Sequence, residues 1–147
     1  MHEVRNDDGF TLLEIMVVVI IIGMLMTLVA TTIFGRLERS KVDIAGMQIQ
    51  KLSQALELYK LDNGNYPTSE QGLDALVHES TSEPRPKRFP PGGYASVKDL
   101  VDPWQQPFKY DRPGQNNPHS YDLYTFGSDG VQGGEPDATN WEQAQNR

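Results

Sequence analysis

The sequence predicts an α+β chain: a long N-terminal helix, apolar in its first half, whose second half packs on a small antiparallel sheet. Three observations predict it. Residues 15–34 form a charge-free run of 20 largely apolar residues, the length of a membrane span. Residues 36–61 then place apolar side chains at helical spacing, and no proline occurs before Pro67. Two late segments, 108–110 and 121–126, alternate in the manner of strands.

Taken in order, residues 1–9 are a short, charged segment of unstructured appearance. Residues 10–61 read as one helix, about 75–80 Å long at 1.5 Å per residue. Its expected buried stripe is Ile44, Met47, Leu52, Ala55, Leu56 and Tyr59. Asp62, Asn63 and Gly64 supply the stop, because Asn and Gly accept the left-handed conformation after a last turn. Thr68 and Gln71 have capping-box spacing, which predicts a short helix over 69–78 burying Leu73, Leu76 and Val77. Residues 80–93 are a loop rich in Ser, Pro and Gly. Residues 94–100 are ambiguous. The two alternating segments, with Pro113 and Gly114 between them, form a hairpin or three-stranded sheet packed on the upper half of the helix. Residues 127–134 are a loop rich in Gly and Asp.

Composition narrows the function. The chain has 147 residues, no cysteine and a formal net charge of −7. A disulfide framework and a thiolate metal site are excluded. Basic residues form no stripe, so nucleic acid is not an expected partner. Catalysis has no support either: His2, His78 and His119 are isolated, and no metalloprotease, nucleophile-elbow or phosphate-loop motif occurs. Tyr66, Trp104, Tyr110 and Trp141 read as core or rim aromatics rather than a ligand platform. The charged stretch Arg36, Glu38, Arg39, Lys41 and Asp43 reads as a solvated face or as intersubunit ion pairs.

The N-terminus carries the sharpest signal. A secretory signal is cut after its apolar region, whereas here the boundary, between Gly9 and Phe10, lies before it. Glu14 then places one carboxylate inside the apolar segment, at a cost of about 2.5–3.5 kcal/mol on insertion scales. An amine freed at Phe10 on a neighbouring copy would offset that cost and set register between copies.

These residues resemble a known pattern. Gly-Phe-Thr-Leu-Leu-Glu at 9–14 is similar to the processing motif of type IV pilins and type II secretion pseudopilins. The resemblance implies a type IV pilin-like fold, cleavage after Gly9 by a prepilin peptidase, methylation of Phe10, and assembly through Phe10 and Glu14. It divides the chain into a leader at 1–9, a transmembrane and assembly helix at 10–34, and a periplasmic domain at 35–147. The second half narrows the family. Gly64 to Val77, then Gly93 and Tyr94, the Leu-Val-Asp-Pro-Trp at 100–104, the Pro-Phe-Lys-Tyr at 107–110, and the segments 121–130 and 137–141 resemble the major pseudopilin of type II secretion systems, in order. One departure is Gln105 and Gln106 after Trp104, where that family often has a glycine.

The resemblance implies a subunit of a homopolymeric periplasmic filament, held in the bacterial inner membrane by a single pass. Its partners would be minor pseudopilins, an inner-membrane assembly platform and an outer-membrane secretin. The alternatives are a type IV pilus subunit for adhesion or motility and a monomeric, membrane-tethered periplasmic binding module. On residues alone, 126–141 reads either as a calcium loop, with Asp129 and Asp137 as hard oxygen ligands, or as a solvated turn. The resemblance implies one calcium ion, held by Asp129, Asp137, the Phe126 carbonyl and further carbonyls between 131 and 135. It would act as a staple in a chain without disulfides.

Overall fold

The computed structural model describes residues 10–131 and 138–141, with backbone alone at 28, 30–32 and 34. Two compact units are present, Met1–Leu37 and Glu38–Arg147, and helix α1 (Leu12–Asn63, 52 residues) contributes to both. Thr11 opens α1: its Oγ1 accepts the Glu14 N–H at 3.2 Å and its carbonyl accepts the Ile15 N–H at 3.2 Å. The expected stop operates at the other end. Gly64 takes φ 87 and donates its N–H to the Lys60 carbonyl at 2.7 Å. The Asn63 Nδ2 donates to the Tyr59 carbonyl at 3.0 Å, so two end carbonyls of the helix are satisfied.

In the second unit α1 buries Ala45, Ile49, Leu52, Ala55, Leu56 and Tyr59. This corrects the expected stripe at its lower end, since Ile44 and Met47 are 41% and 61% exposed. Two apolar stripes run along this stretch, and the one containing small Ala45 is the buried one. The Gln48 Nε2 donates to the Val101 carbonyl at 3.3 Å.

The sheet is antiparallel, in order β1 (Lys109–Asp111), β2 (Asp122–Thr125), β3 (Ala138–Thr139). Lys109 pairs with Tyr124, Tyr110 with Leu123, and Thr125 with Ala138. Tyr110, Tyr121 and Leu123 meet the helix, joined by Phe108, Leu73 and Leu76, in one hydrophobic core. Each fully buried Leu or Ile there contributes about 1.5–3 kcal/mol. The expected core aromatics Tyr66 and Tyr110 are buried, and Trp104 packs at the rim.

The expected 69–78 helix is only partly formed. The capping-box pair is made in both directions, Thr68 N–H to Gln71 Oε1 at 3.0 Å and Gln71 N–H to Thr68 Oγ1 at 3.2 Å. Gly72 then takes φ 58, which breaks the helical run, and a 3-10 turn Leu73–Leu76 follows. Leu73 and Leu76 are buried, and Val77 is half-buried. The ambiguous stretch contains a second 3-10 turn, Val97–Leu100, with a Ser96/Asp99 capping box. The 80–93 loop is pinned to the domain. The Gln71 Nε2 donates to Ser80 Oγ, Ser82 O and Pro84 O, and the Arg88 N–H donates to Asn63 Oδ1 at 2.9 Å.

Candidate assembly segment and metal loop

In the first unit the described apolar side chains of α1 are left open. Phe10 is 77% exposed, and Ile22, Leu25, Met26, Val29 and Ile33 are each 45–67% exposed, together lining one shallow groove. A contiguous apolar face of this kind marks a lipid or protein contact. On the same stretch of α1 the Thr27 hydroxyl donates back to the Gly23 carbonyl at 3.0 Å, which hides it from an apolar medium. Among the described residues no helix is long and apolar enough to cross a membrane. The 20-residue run at 15–34 is a property of the full sequence.

Glu14 lies in the first turn of α1, where the helix dipole favours a negative charge. Phe10, Thr11 and Glu14 therefore sit together at the helix start, while Gly9 lies outside the described residues. Sequence reasoning missed Thr11. Its signal was the Thr-x-x-Glu spacing at 11–14, which is that of a capping box.

At the other site, Phe126 and Asp129 share the turn that follows β2. Gly127 and Gly130 take φ 66 and 68, a left-handed conformation that L side chains disfavour. Asp129 is exposed, and its Oδ1 accepts the Val131 N–H at 3.0 Å. Asp137 and the candidate carbonyls at 132–135 lie outside the described residues. Among the described residues no cluster of three or more acidic, His or Cys side chains converges on one point. The donors on the described part of the turn are hard oxygens, a carboxylate and backbone carbonyls. That chemistry fits calcium and does not fit a soft metal.

The root of this turn rests on a buried carboxylate that sequence reasoning quoted only as part of the 100–104 motif. Asp102 is 2% exposed. Its Oδ1 accepts the N–H groups of Trp104 at 2.9 Å and Gln106 at 2.8 Å, and its Oδ2 accepts the Thr125 hydroxyl. The Asp-Pro sequence at 102–103 was the available signal, since Asp side chains bond backbone two residues on in turns. A second buried carboxylate, Asp122, accepts four hydrogen bonds from the backbone and side-chain amides of Asn116 and Asn117, at 2.8–3.1 Å.

Residues 32–142 match the family model described as "Type II secretion system (T2SS), protein G". The chain belongs to this protein G family. Residues 4–34 match a second model, "Prokaryotic N-terminal methylation motif". The chain is 45% identical over 142 residues to the type II secretion system core protein G of Pseudomonas aeruginosa, covering 94% of this chain and 97% of that protein. It is 43% identical over 145 residues to the core protein G of Vibrio cholerae, covering 96% of each. Its structure is similar to the crystal structure of the major pseudopilin from the type 2 secretion system of enterohaemorrhagic Escherichia coli, with a TM-score of 0.64 and 34% identity. The match covers 74% of this chain and 93% of that one. Membership of the protein G family bears out the pseudopilin resemblance and the pilin-like α+β fold, and favours secretion over the pilus alternative.

Proposed function

We propose that this protein G family member is the major, non-catalytic subunit of a periplasmic pseudopilus. The precursor would sit in the inner membrane through residues 10–34, with the leader 1–9 in the cytoplasm and the domain 35–147 in the periplasm. A prepilin peptidase would cut between Gly9 and Phe10 and methylate the new amine. That amine would pair with Glu14 of an adjacent copy. The copies, bundled through their N-terminal helices, would form a head-to-tail assembly that does not close. Growth of the filament on an inner-membrane platform, together with minor pseudopilins, would drive folded proteins through an outer-membrane secretin.

The observation that carries this reading is the open apolar face of α1 with a single carboxylate, Glu14, in its first turn. Such a face requires lipid or further copies around it, and the carboxylate requires a positive partner there. The match to the methylation motif over 4–34 supports the processing step. Asp129, Asp137 and the Phe126 carbonyl would hold one calcium ion, which when bound cross-links the loop after β2 and stabilises the folded domain by mass action.

The test is export of a known secreted protein from a strain lacking the gene, with and without the gene restored. Folded exoprotein held in the periplasm, and released on restoration, is the expected result. Unchanged export would overturn the reading.

A further inference from the structure

We infer that Asp102 is a positioning residue for the metal loop, and that through it the state of the 126–131 turn is transmitted to Glu38, the first residue of the second unit. This inference rests on the calcium reading above. A carboxylate as buried as Asp102 is costly unless every lone pair is used, and here both oxygens are engaged. One oxygen holds the 102–106 turn closed through the Trp104 and Gln106 amides. The other takes the proton of the Thr125 hydroxyl. Thr125 is the last residue of β2 and is 2% exposed. Its Oγ1 in turn accepts the N–H of Gly127 at 3.4 Å, and Gly127 opens the metal loop.

A neutral side chain at 102 would cap the turn as well. The charge changes the contact to Thr125, because hydrogen bonds to an ionised acceptor are about twice as strong as neutral ones. The hydroxyl proton is thereby committed to Asp102, which leaves its lone pairs facing Gly127. That fixes the direction in which the chain leaves β2, and with it the placement of the Phe126 carbonyl. On the other side, Trp104 shares the same carboxylate and donates its Nε1–H to Glu38 Oε2 at 2.8 Å. A continuous path therefore runs Gly127, Thr125, Asp102, Trp104, Glu38. Ordering of the loop by an ion acts along this path on the indole and on its anchor in α1.

The test uses the full chain in detergent micelles with Trp141→Phe, which leaves Trp104 as the only indole of the two in the sequence. Calcium is titrated by calorimetry and by Trp104 emission. In the parent and in Thr125→Ser, calcium should bind alike and shift the emission. Thr125→Val keeps the shape but removes the hydroxyl, and should bind calcium about 10–100-fold more weakly, as loss of an outer-shell partner does. Its emission should stay unmoved at saturation. Parent-like affinity together with a parent-like shift in Thr125→Val would overturn the inference while leaving calcium binding intact. Absence of calcium heat in the parent would overturn the calcium reading and this inference with it. If Thr125→Val is unfolded in chelator by circular dichroism, Glu38→Ala carries the test. Calcium heat should persist and the Trp104 shift should vanish, and a surviving shift overturns the link.

Discussion

The indole Nε1 of Trp104 donates a 2.8 Å hydrogen bond to the Oε2 of Glu38, across 66 positions of sequence. The other carboxylate oxygen of Glu38 meets Lys41 Nζ at 3.1 Å. The charged stretch that begins the second unit is thus partly used within the chain, and Glu38 ties α1 to the 102–106 turn. A second tie lies further along α1, where Lys51 Nζ meets Asp99 Oδ1 at 2.7 Å.

Both carboxylates make stability depend on acid. The Trp104 hydrogen bond, then Lys41, holds the Glu38 carboxyl below its ordinary 4.5. Burial pushes Asp99 up, but Lys51 and the Ser96 N–H and hydroxyl outweigh it and hold the carboxyl below 3.8. A depressed folded-state pKa gives stability that is present above the unfolded value and lost as pH falls through the folded one. The melting temperature should therefore fall below about pH 4. In Asp99→Asn the fall should be shallower, because the charge that faces Lys51 is gone while an amide oxygen can still accept the Ser96 N–H. Identical pH profiles for parent and variant would count against the pairing.

Gln105 takes φ 66, a left-handed conformation that a residue with a Cβ rarely adopts. Gln105→Gly should stabilise the domain by about 0.5–1 kcal/mol, the left-handed strain relieved less the larger entropy of unfolded glycine. Urea denaturation measures it, and a loss of stability would show that the Gln105 side chain holds the turn.

Gly114 faces the opposite constraint. An added Cβ would lie 2.5 Å from Asp122 Oδ1 and 2.8 Å from the Asp122 backbone nitrogen. Gly114→Ala should cost about 1–3 kcal/mol by overpacking, read by the same denaturation. A neutral result would mean the Asp122 cradle yields.

Glu14→Ala should insert and be cleaved at Gly9 normally, because the charge is not needed for either step. Filaments should be sparse or absent when the isolated cell-envelope fraction is imaged, where the parent shows them. Normal filaments from this variant would remove the Phe10 amine pairing.

Asp129→Ala should lower the melting temperature only where calcium is present. At a calcium level about a hundredfold above its dissociation constant, the ion stabilises by about 2.7 kcal/mol. In chelator, parent and variant should melt within a degree of one another, since Asp129 is exposed. An equal loss in both conditions would assign the side chain to the turn alone.

Signals that act along the chain were legible in advance. The long helix followed from proline-free periodicity, its end from Asn63 and Gly64, and the Thr68/Gln71 cap from spacing. The same kind of signal at Thr11 was present and passed over. The inward face of α1 was half legible. Ile44 and Met47 are as apolar as Ile49, and only the packing of the domain decides that Ala45 and Ile49 are the buried ones. The 69–78 helix was overextended because Gly72 spends its freedom on a left-handed φ of 58.

The sequence by itself determined the family, the apolar N-terminal segment with its single carboxylate at Glu14, and the candidate metal loop at Asp129. These are contiguous features whose chemistry is written in residue type and spacing. The tertiary structure alone decided that Asp102 supports the root of that loop and that Trp104 reaches Glu38. Those bonds join residues 23 and 66 positions apart. Their partners are chosen by how the helix, the 102–106 turn and β2 pack, a choice that no local preference encodes.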